Sequence, residues 1–229
     1  MTIRILGVCG SPIKGGNTEL YLLEALKTAE GLGDVETEAV LLAEPEWENL
    51  RGCIHCNYCA VRQKPDRFCA FSDSMIAVYP KVMAAHGLIL ASPVYLTRMS
   101  WLMAAFMDRL RAIGHGKLYI GSLKNKVAGA MAVTWERNSG AETTLLSMLQ
   151  GMMLFSLIPV GAGLWGPYGA TGLSSADFKD HPGNKHGVLA DEYGMRNARE
   201  LGRSVAGLAM VIQAGTETLR DSGKDGSRS

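Results

Sequence analysis

From Ile3 to Cys9 the chain reads IRILGVC, an apolar run that stops at Gly10-Ser11-Pro12. After Gly15-Gly16-Asn17-Thr18 the apolar positions fall at Leu20, Leu22, Leu23 and Leu26. The first spacing predicts a buried strand and the second a helix, joined by a glycine-rich loop. A turn at Gly31-Leu32-Gly33-Asp34 leads into a second strand, Val35 to Leu42, and the chain from Ala43 to Ser72 lacks a period. Asp73 is placed to cap a helix running toward Ala85, which Pro80 shortens or kinks. Leu88 to Ala91 is a third strand ending at Ser92-Pro93, Met99 to Ile113 a helix with Leu102, Ala105, Phe106, Arg109 and Leu110 in register, and Lys126 to Val133 a fourth strand. A helix over Ala141 to Phe155 and a fifth strand over Ile158 to Ala162 follow. Residues 164–190 are rich in Gly, Pro and Ser without a period, the mark of a lid or an oligomer contact, and helical spacing returns from Asp191 to Thr218. Strands alternating with helices predict an α/β fold whose parallel sheet is covered on both faces. Ligands of such sheets sit beyond the carboxyl ends of the strands.

The chain has 229 residues, 47% of them hydrophobic, which favours one large domain over residues 1–219 with a disordered tail at 220–229. Lys and Arg total 23 against 22 Asp and Glu, and a net charge of +1 gives no broad footprint for nucleic acid or anionic lipid. The opening MTIRILGVCGSPIKGG lacks the pattern of a secretory signal, so a cytoplasmic location is expected. The longest apolar run, Leu145 to Ile158, carries Gln150, Gly151 and two serines and is too short and interrupted to span a bilayer; a Met-rich core or interface helix is expected.

The loop from Gly10 to Thr18, GSPIKGGNT, joins the first strand to the first helix. Its glycines let backbone N–H groups approach an anion, Ser11, Asn17 and Thr18 add side-chain donors, and the helix dipole favours negative charge there. With no G-x-G-x-x-G and no closing Gly-Lys-Ser/Thr, the loop suits a single phosphate, as on a mononucleotide. The alternative is an ordinary turn capped by Asn17 or Thr18.

Gly10-Ser11-Pro12 through Gly15-Gly16-Asn17-Thr18, then Ala91-Ser92-Pro93-Val94-Tyr95, then Ser139-Gly140-Ala141-Glu142-Thr143-Thr144, resemble the flavodoxin-like NAD(P)H-dependent FMN reductase group, especially its iron–sulfur flavoprotein and multimeric-flavodoxin branches. The resemblance implies a doubly wound five-stranded parallel sheet in the order 2-1-3-4-5, with helices on both faces. It also implies FMN, with its phosphate on the first loop, where Ser11, Pro12, Lys14, Gly16, Asn17 and Thr18 are the expected contacts. Pro93, Val94 and Tyr95 would lie beside the ring, with Thr134, Trp135, Gly140 and Glu142 around its other edge. The segment Trp135-Glu136-Arg137-Asn138 departs from the glycine-rich pattern of the family.

Cys53-x2-Cys56-x2-Cys59 places three thiols within seven residues, and Cys69 follows the basic stretch VRQKPDRF. Short spacings of this kind suit a [4Fe–4S] cluster, ahead of zinc or a redox dithiol. A loop of free thiols is the structural alternative. The resemblance adds that iron–sulfur flavoproteins carry a compact four-cysteine motif here, although the gap from Cys59 to Cys69 is long for the family. Cys9 reads as an inert core thiol, and His55, His86, His115, His181 and His186 show no paired metal spacing and read as surface or loop residues.

These features together predict an FMN-dependent oxidoreductase in which the flavin carries the chemistry and no side chain serves as catalytic nucleophile or base. NAD(P)H is a candidate reductant, and the expected partners are a small-molecule acceptor or a ferredoxin-like protein. Relatives form dimers and tetramers, so a homodimer or homotetramer is expected, with Met152-Met153-Leu154-Phe155 as a candidate contact. The alternatives are a cluster-free NAD(P)H:quinone or FMN reductase and a non-catalytic flavin electron carrier or redox sensor.

Overall fold

The computed structural model describes residues 1–175 and 183–222. In chain order its strands are β1 (Ile3–Cys9), β2 (Val35–Leu41), β3 (Gly87–Tyr95), β4 (Arg98–Met99), β5 (Val127–Thr134), β6 (Ile158–Val160) and β7 (Ala170–Leu173). The helices are α1 (Asn17–Glu30), α2 (Tyr58–Val61), α3 (Met75–Ala84), α4 (Trp101–Arg109), α5 (Arg111–Gly114), α6 (Ala141–Leu154) and α7 (Glu192–Asp221). No helix among the described residues is long and apolar enough to cross a membrane.

β1 is buried at every position except Arg4 because it lies between two parallel neighbours, Val8 pairing with Val40 of β2 and with Leu90 of β3. β3 pairs in parallel with β5, which is buried throughout, as unbroken apolar strands covered on both faces must be. The buried stripe of α1 (Tyr21, Leu22, Ala25, Leu26, Ala29) packs with that of α7 (Ala198, Leu201, Val205, Ala209) on one face. A Cβ on Gly202 would strike the Ala25 carbonyl, so these two helices touch backbone to backbone. α3, α4 and α6 cover the other face.

Five strands in the order 2-1-3-4-5 were expected; the sheet instead has seven, along the path β2-β1-β3-β5-β6, with β4 on β3 and β7 on β5. β3 runs on past Ala91 to Tyr95, so Ser92 to Tyr95 are strand and not loop. β4 then folds back antiparallel through Leu96 and Thr97, both at positive φ. The expected fifth strand is divided. β6 pairs with the first half of β5, the chain leaves at Gly161, and β7 returns to pair with the second half, Met131 with Ala170 through Thr134 with Leu173. Gly169 makes the return possible: its φ is +135° and a Cβ there would collide with the Ala130 carbonyl. The loop expected over 164–190 thus contains a strand.

A further expectation changes. The helix over Met99 to Ile113 breaks at Leu110 into α4 and α5. Ser74 holds the cap position of α3 without a side-chain bond, while the expected cap, Asp73, one residue before it, accepts the Met75 N–H on Oδ1 at 3.3 Å and pairs with Arg109 through the same carboxylate. Part of the 164–190 loop, His181 and most of the tail lie outside the described residues.

Candidate functional site

The glycine-rich loop leaves β1 at its carboxyl end, beside β3, where Gly10 N–H donates to the Ala91 carbonyl. A Cβ on Gly10 would lie 2.6 Å from the Met103 Cβ, so the loop starts pressed against α4, and Ser100 Oγ donates to the Gly10 carbonyl. Ser11 Oγ accepts the Ile13 N–H at 3.1 Å, and Gly15, at φ +63°, donates its N–H to Glu19 Oε2 at 2.7 Å. Gly16 is the N-cap of α1 and no side chain caps the helix, so neither Asn17 nor Thr18 plays the role an ordinary turn would give it. Buried Ser11 and Thr18 and the open first turn face a cavity of ≈ 310 Å³.

That cavity brings together residues from distant parts of the chain: Ser11, Gly16, Asn17 and Thr18; Pro93, Val94 and Tyr95; and Trp135. Pro93 is buried, Val94 half-buried, and Tyr95 and Trp135 stand exposed at about 40%. Burial pushes the Tyr95 hydroxyl up, and the Cys9 thiol adds to the shift. Cys9 itself lies beneath the loop, pushed up to about 12 by burial against the opposing Ser11 N–H, and stays protonated at neutral pH.

Not every expected contact offers a free side chain to this cavity. Lys14 Nζ pairs with Glu44 at 2.9 Å, and Pro12 is exposed. Asn17 spends its side chain on the chain opposite, donating to the Asn184 carbonyl and accepting the Val188 N–H, both at 2.8 Å. Thr134 and Glu142 line a neighbouring cavity of ≈ 520 Å³ with Glu136, Arg137 and Asn138. Gly140 caps α6 at φ +100°, where a Cβ would lie 2.5 Å from the Thr97 Cα; its role is to let those two loops touch.

The cysteine segment lies on the α4 side of the sheet. Cys59 is buried, Cys53 and Cys69 are half-buried and Cys56 is exposed, all as free thiols. Among the described residues no three His, Cys, Asp or Glu side chains gather where one metal ion would sit. His55 and Asn57, on either side of Cys56, have positive φ, and the Cys53 sulfur accepts the His55 N–H at 3.4 Å. Backbone bent in this way turns N–H groups toward sulfur and anions. Gln63, buried, donates to the Phe68 and Ala112 carbonyls and accepts the Leu118 N–H, fastening the stretch between Cys59 and Cys69 to α5. Arg111 holds Asn57 at 2.7 Å; burial pushes the Cys59 thiol up while Arg111 opposes it.

Residues 3–167 match the model of the NADPH-dependent FMN reductase family. The chain belongs to this family. It is an FMN-dependent oxidoreductase of the flavodoxin-like class. An iron-sulfur flavoprotein of Methanocaldococcus jannaschii is 36% identical over 212 residues, covering 92% of this chain and all of the relative. A NAD(P)H dehydrogenase (quinone) of Caulobacter vibrioides is 32% identical over 153 residues, 61% of this chain and 71% of the relative. Among solved structures, RosB with bound 8-demethyl-8-formylriboflavin-5'-phosphate shares the fold at a TM-score of 0.66 and 18% identity, over 98% of this chain and 89% of RosB.

In this FMN-dependent oxidoreductase the uncapped α1 N-terminus and the wall from Pro93 to Tyr95 fit FMN: donors for a phosphate at one end, an apolar slot at the other. Sequence reading missed Ile13, Val133, Ser174, Asn184 and Lys185 in the cavity wall, the last three carried there by the 164–190 segment. It also missed the buried polar groups under the cysteines, of which Arg109 left a signal: a charged side chain in register with the apolar stripe of α4 needs a buried partner. His86, read as a surface residue, is half-buried, and its Nδ1 accepts the Arg4 N–H at 2.9 Å.

Proposed function

We propose that this protein moves electrons between a reduced donor and a small-molecule or protein acceptor as an iron–sulfur flavoprotein, with FMN over the α1 N-terminus and Cys53, Cys56, Cys59 and Cys69 as ligands of a [4Fe–4S] cluster. The observation that carries the flavin assignment is the open first turn of α1 facing a cavity whose far wall is Pro93, Val94 and Tyr95. FMN when bound supplies one- and two-electron chemistry, and a cluster would supply single electrons. The chain's own work is binding and orientation. Ser11, Gly16 and Thr18 offer donors to a phosphate, Pro93 and Val94 give an apolar wall, and Tyr95 and Trp135 flank the mouth. Asn17, joined to Asn184 and Val188, holds the far rim closed.

Support for the cluster lies in the donor set, four thiols on one segment beside Arg109 and Arg111, and in the likeness to iron-sulfur flavoproteins. The thiols are not gathered at one point here, so cluster uptake requires the segment to close around it. Replacing Cys56 with Ala is expected to remove iron and acid-labile sulfide together and leave FMN content unchanged, checked by metal, sulfide and flavin analysis of the same sample. Retained iron, or flavin lost with it, contradicts the ligand assignment.

A cluster-free NAD(P)H:quinone reductase is the second reading, favoured by the Caulobacter relative and by the ≈ 520 Å³ cavity beyond Trp135. Anaerobic flavin reduction separates the two. The proposed function predicts faster reduction by a ferredoxin-like protein than by NADH or NADPH, with the difference abolished by Cys56→Ala. Rapid NAD(P)H reduction that ignores this substitution favours the second reading. Exposed Met153 and Leu154 on α6 are the proposed contact of a homodimer or homotetramer.

A further inference from the structure

The family model matches residues 3–167, yet the wall of the flavin cavity is completed by residues beyond that match, Ser174 and residues 183–185. They bring charge to it. Among the described residues that line this cavity, only Lys185 carries a formal charge. Lys14, the lysine of the glycine-rich loop, is turned away to Glu44. Glu19 sits in the first turn of α1 and accepts the Gly15 N–H, so a phosphate arriving at that helix end meets a carboxylate as well as the favourable dipole. Thr18, 3% exposed, lines the cavity, and its hydroxyl has no hydrogen-bond partner among the described residues. The cradle thus has donors to spare and no cation of its own.

Lys185 is carried to the cavity on a fastened turn. Asn17, the first residue of α1, donates to the Asn184 carbonyl and accepts the Val188 N–H, both at 2.8 Å, so one side chain holds the backbone on either side of Lys185. Asn184 Oδ1 accepts the His186 N–H at 2.9 Å and tightens the same turn. A Cβ on Gly187 would overlap the Ser174 carbonyl, which shows how closely the turn is pressed onto the residue after β7. Val188 is fully buried in the core shared by α1 and α7.

From this arrangement we infer that Lys185 is the cation of the phosphate site and sets its preference for a phosphorylated flavin, with Asn17 as the positioning residue that holds it beside the α1 N-terminus. The inference rests on the FMN reading above. An ammonium donating to a phosphate oxygen makes a charge-assisted hydrogen bond and offsets the repulsion from Glu19. Riboflavin has the same ring and ribityl chain without the phosphate, so it gains nothing from Lys185.

The test titrates the full chain, freed of flavin, with FMN and with riboflavin at low and high salt, following flavin fluorescence. Lys185→Ala is expected to weaken FMN binding about tenfold at low salt and to leave riboflavin binding unchanged. The loss shrinks at high salt, where the wild-type ion pair is screened. Lys14→Ala is expected to keep wild-type affinity for both ligands. Asn17→Ala is expected to weaken FMN more than riboflavin, and in that background Lys185→Ala costs clearly less, because the lysine is no longer held. Lys185 is exposed, so its removal leaves the fold intact and decides the matter whatever the folding of the asparagine variant. Wild-type FMN affinity in Lys185→Ala, or an equal loss for FMN and riboflavin, overturns the inference. An undiminished lysine effect in folded Asn17→Ala overturns the positioning role. A wild-type chain that binds neither flavin overturns the FMN reading, and this inference with it.

Discussion

Replacing Ser11 with Ala and Gly15 with Leu in one chain is expected to weaken FMN binding at least about a hundredfold, roughly 2.7 kcal/mol, while the chain still folds. Ser11 is 3% exposed, and its hydroxyl organises the loop through the Ile13 N–H. Gly15 has positive φ and open space where a side chain would project. A leucine there adds bulk at the loop beside the open first turn of α1, and the left-handed backbone adds about 1–2 kcal/mol of strain. That strain alone lowers the apoprotein melting temperature by only about 2–8 °C in a chain of this size. Fluorescence titration of the apoprotein with FMN, beside a thermal melt, separates the two effects. Wild-type affinity in the folded double variant contradicts the phosphate-loop assignment.

The second large effect is on stability. Arg109→Met is expected to cost about 3–5 kcal/mol, because removing one member of a buried pair leaves Asp73 desolvated and uncompensated; its side chain is 13% exposed in the structure. In a chain of this length that is a fall of about 6–20 °C in melting temperature. Adding Asp73→Asn is expected to recover part of the loss, since the two residues act as a unit and their effects do not add. Hydrogen exchange should rise across residues 51–73 and stay unchanged in β1 and β3. A loss under about 1 kcal/mol in denaturant titration would show that the pair contributes little more than an exposed one.

Much of the architecture was legible because it is written locally. IRILGVC followed by glycines and a 3.6-residue period could only be strand, loop and helix, and the structure has β1 and α1 there. What was not legible depends on contacts between distant segments. Ala170–Leu173, only four residues with a glycine among them, becomes β7 because the second half of β5 has an open edge. Ser92 and Pro93 look like the end of a strand, yet their partners Ala132 and Val133 keep them in the sheet.

The site shows the same division. The loop from Gly10 to Thr18 was legible from its residues and position, the strand end from Pro93 to Tyr95 from the family resemblance, and one cavity joins them. Asn17 had the chemistry of a phosphate donor, but its side chain is taken by Asn184 and Val188, and Lys14 is taken by Glu44. No local pattern encodes those pairings. The spacing of the four cysteines was plain in the sequence; the buried Arg109 and Tyr79 that pack against their segment come from other elements, and Gln63, on the segment itself, finds its partners at Ala112 and Leu118 only through folding.

The most direct measurement is the cofactor content of the full chain purified without oxygen: FMN, iron and acid-labile sulfide quantified on one sample, with its absorption spectrum. The account predicts about one FMN per chain, with iron and sulfide each near four. A protein that takes up no FMN, even after incubation with an excess of it, would contradict the account at its centre.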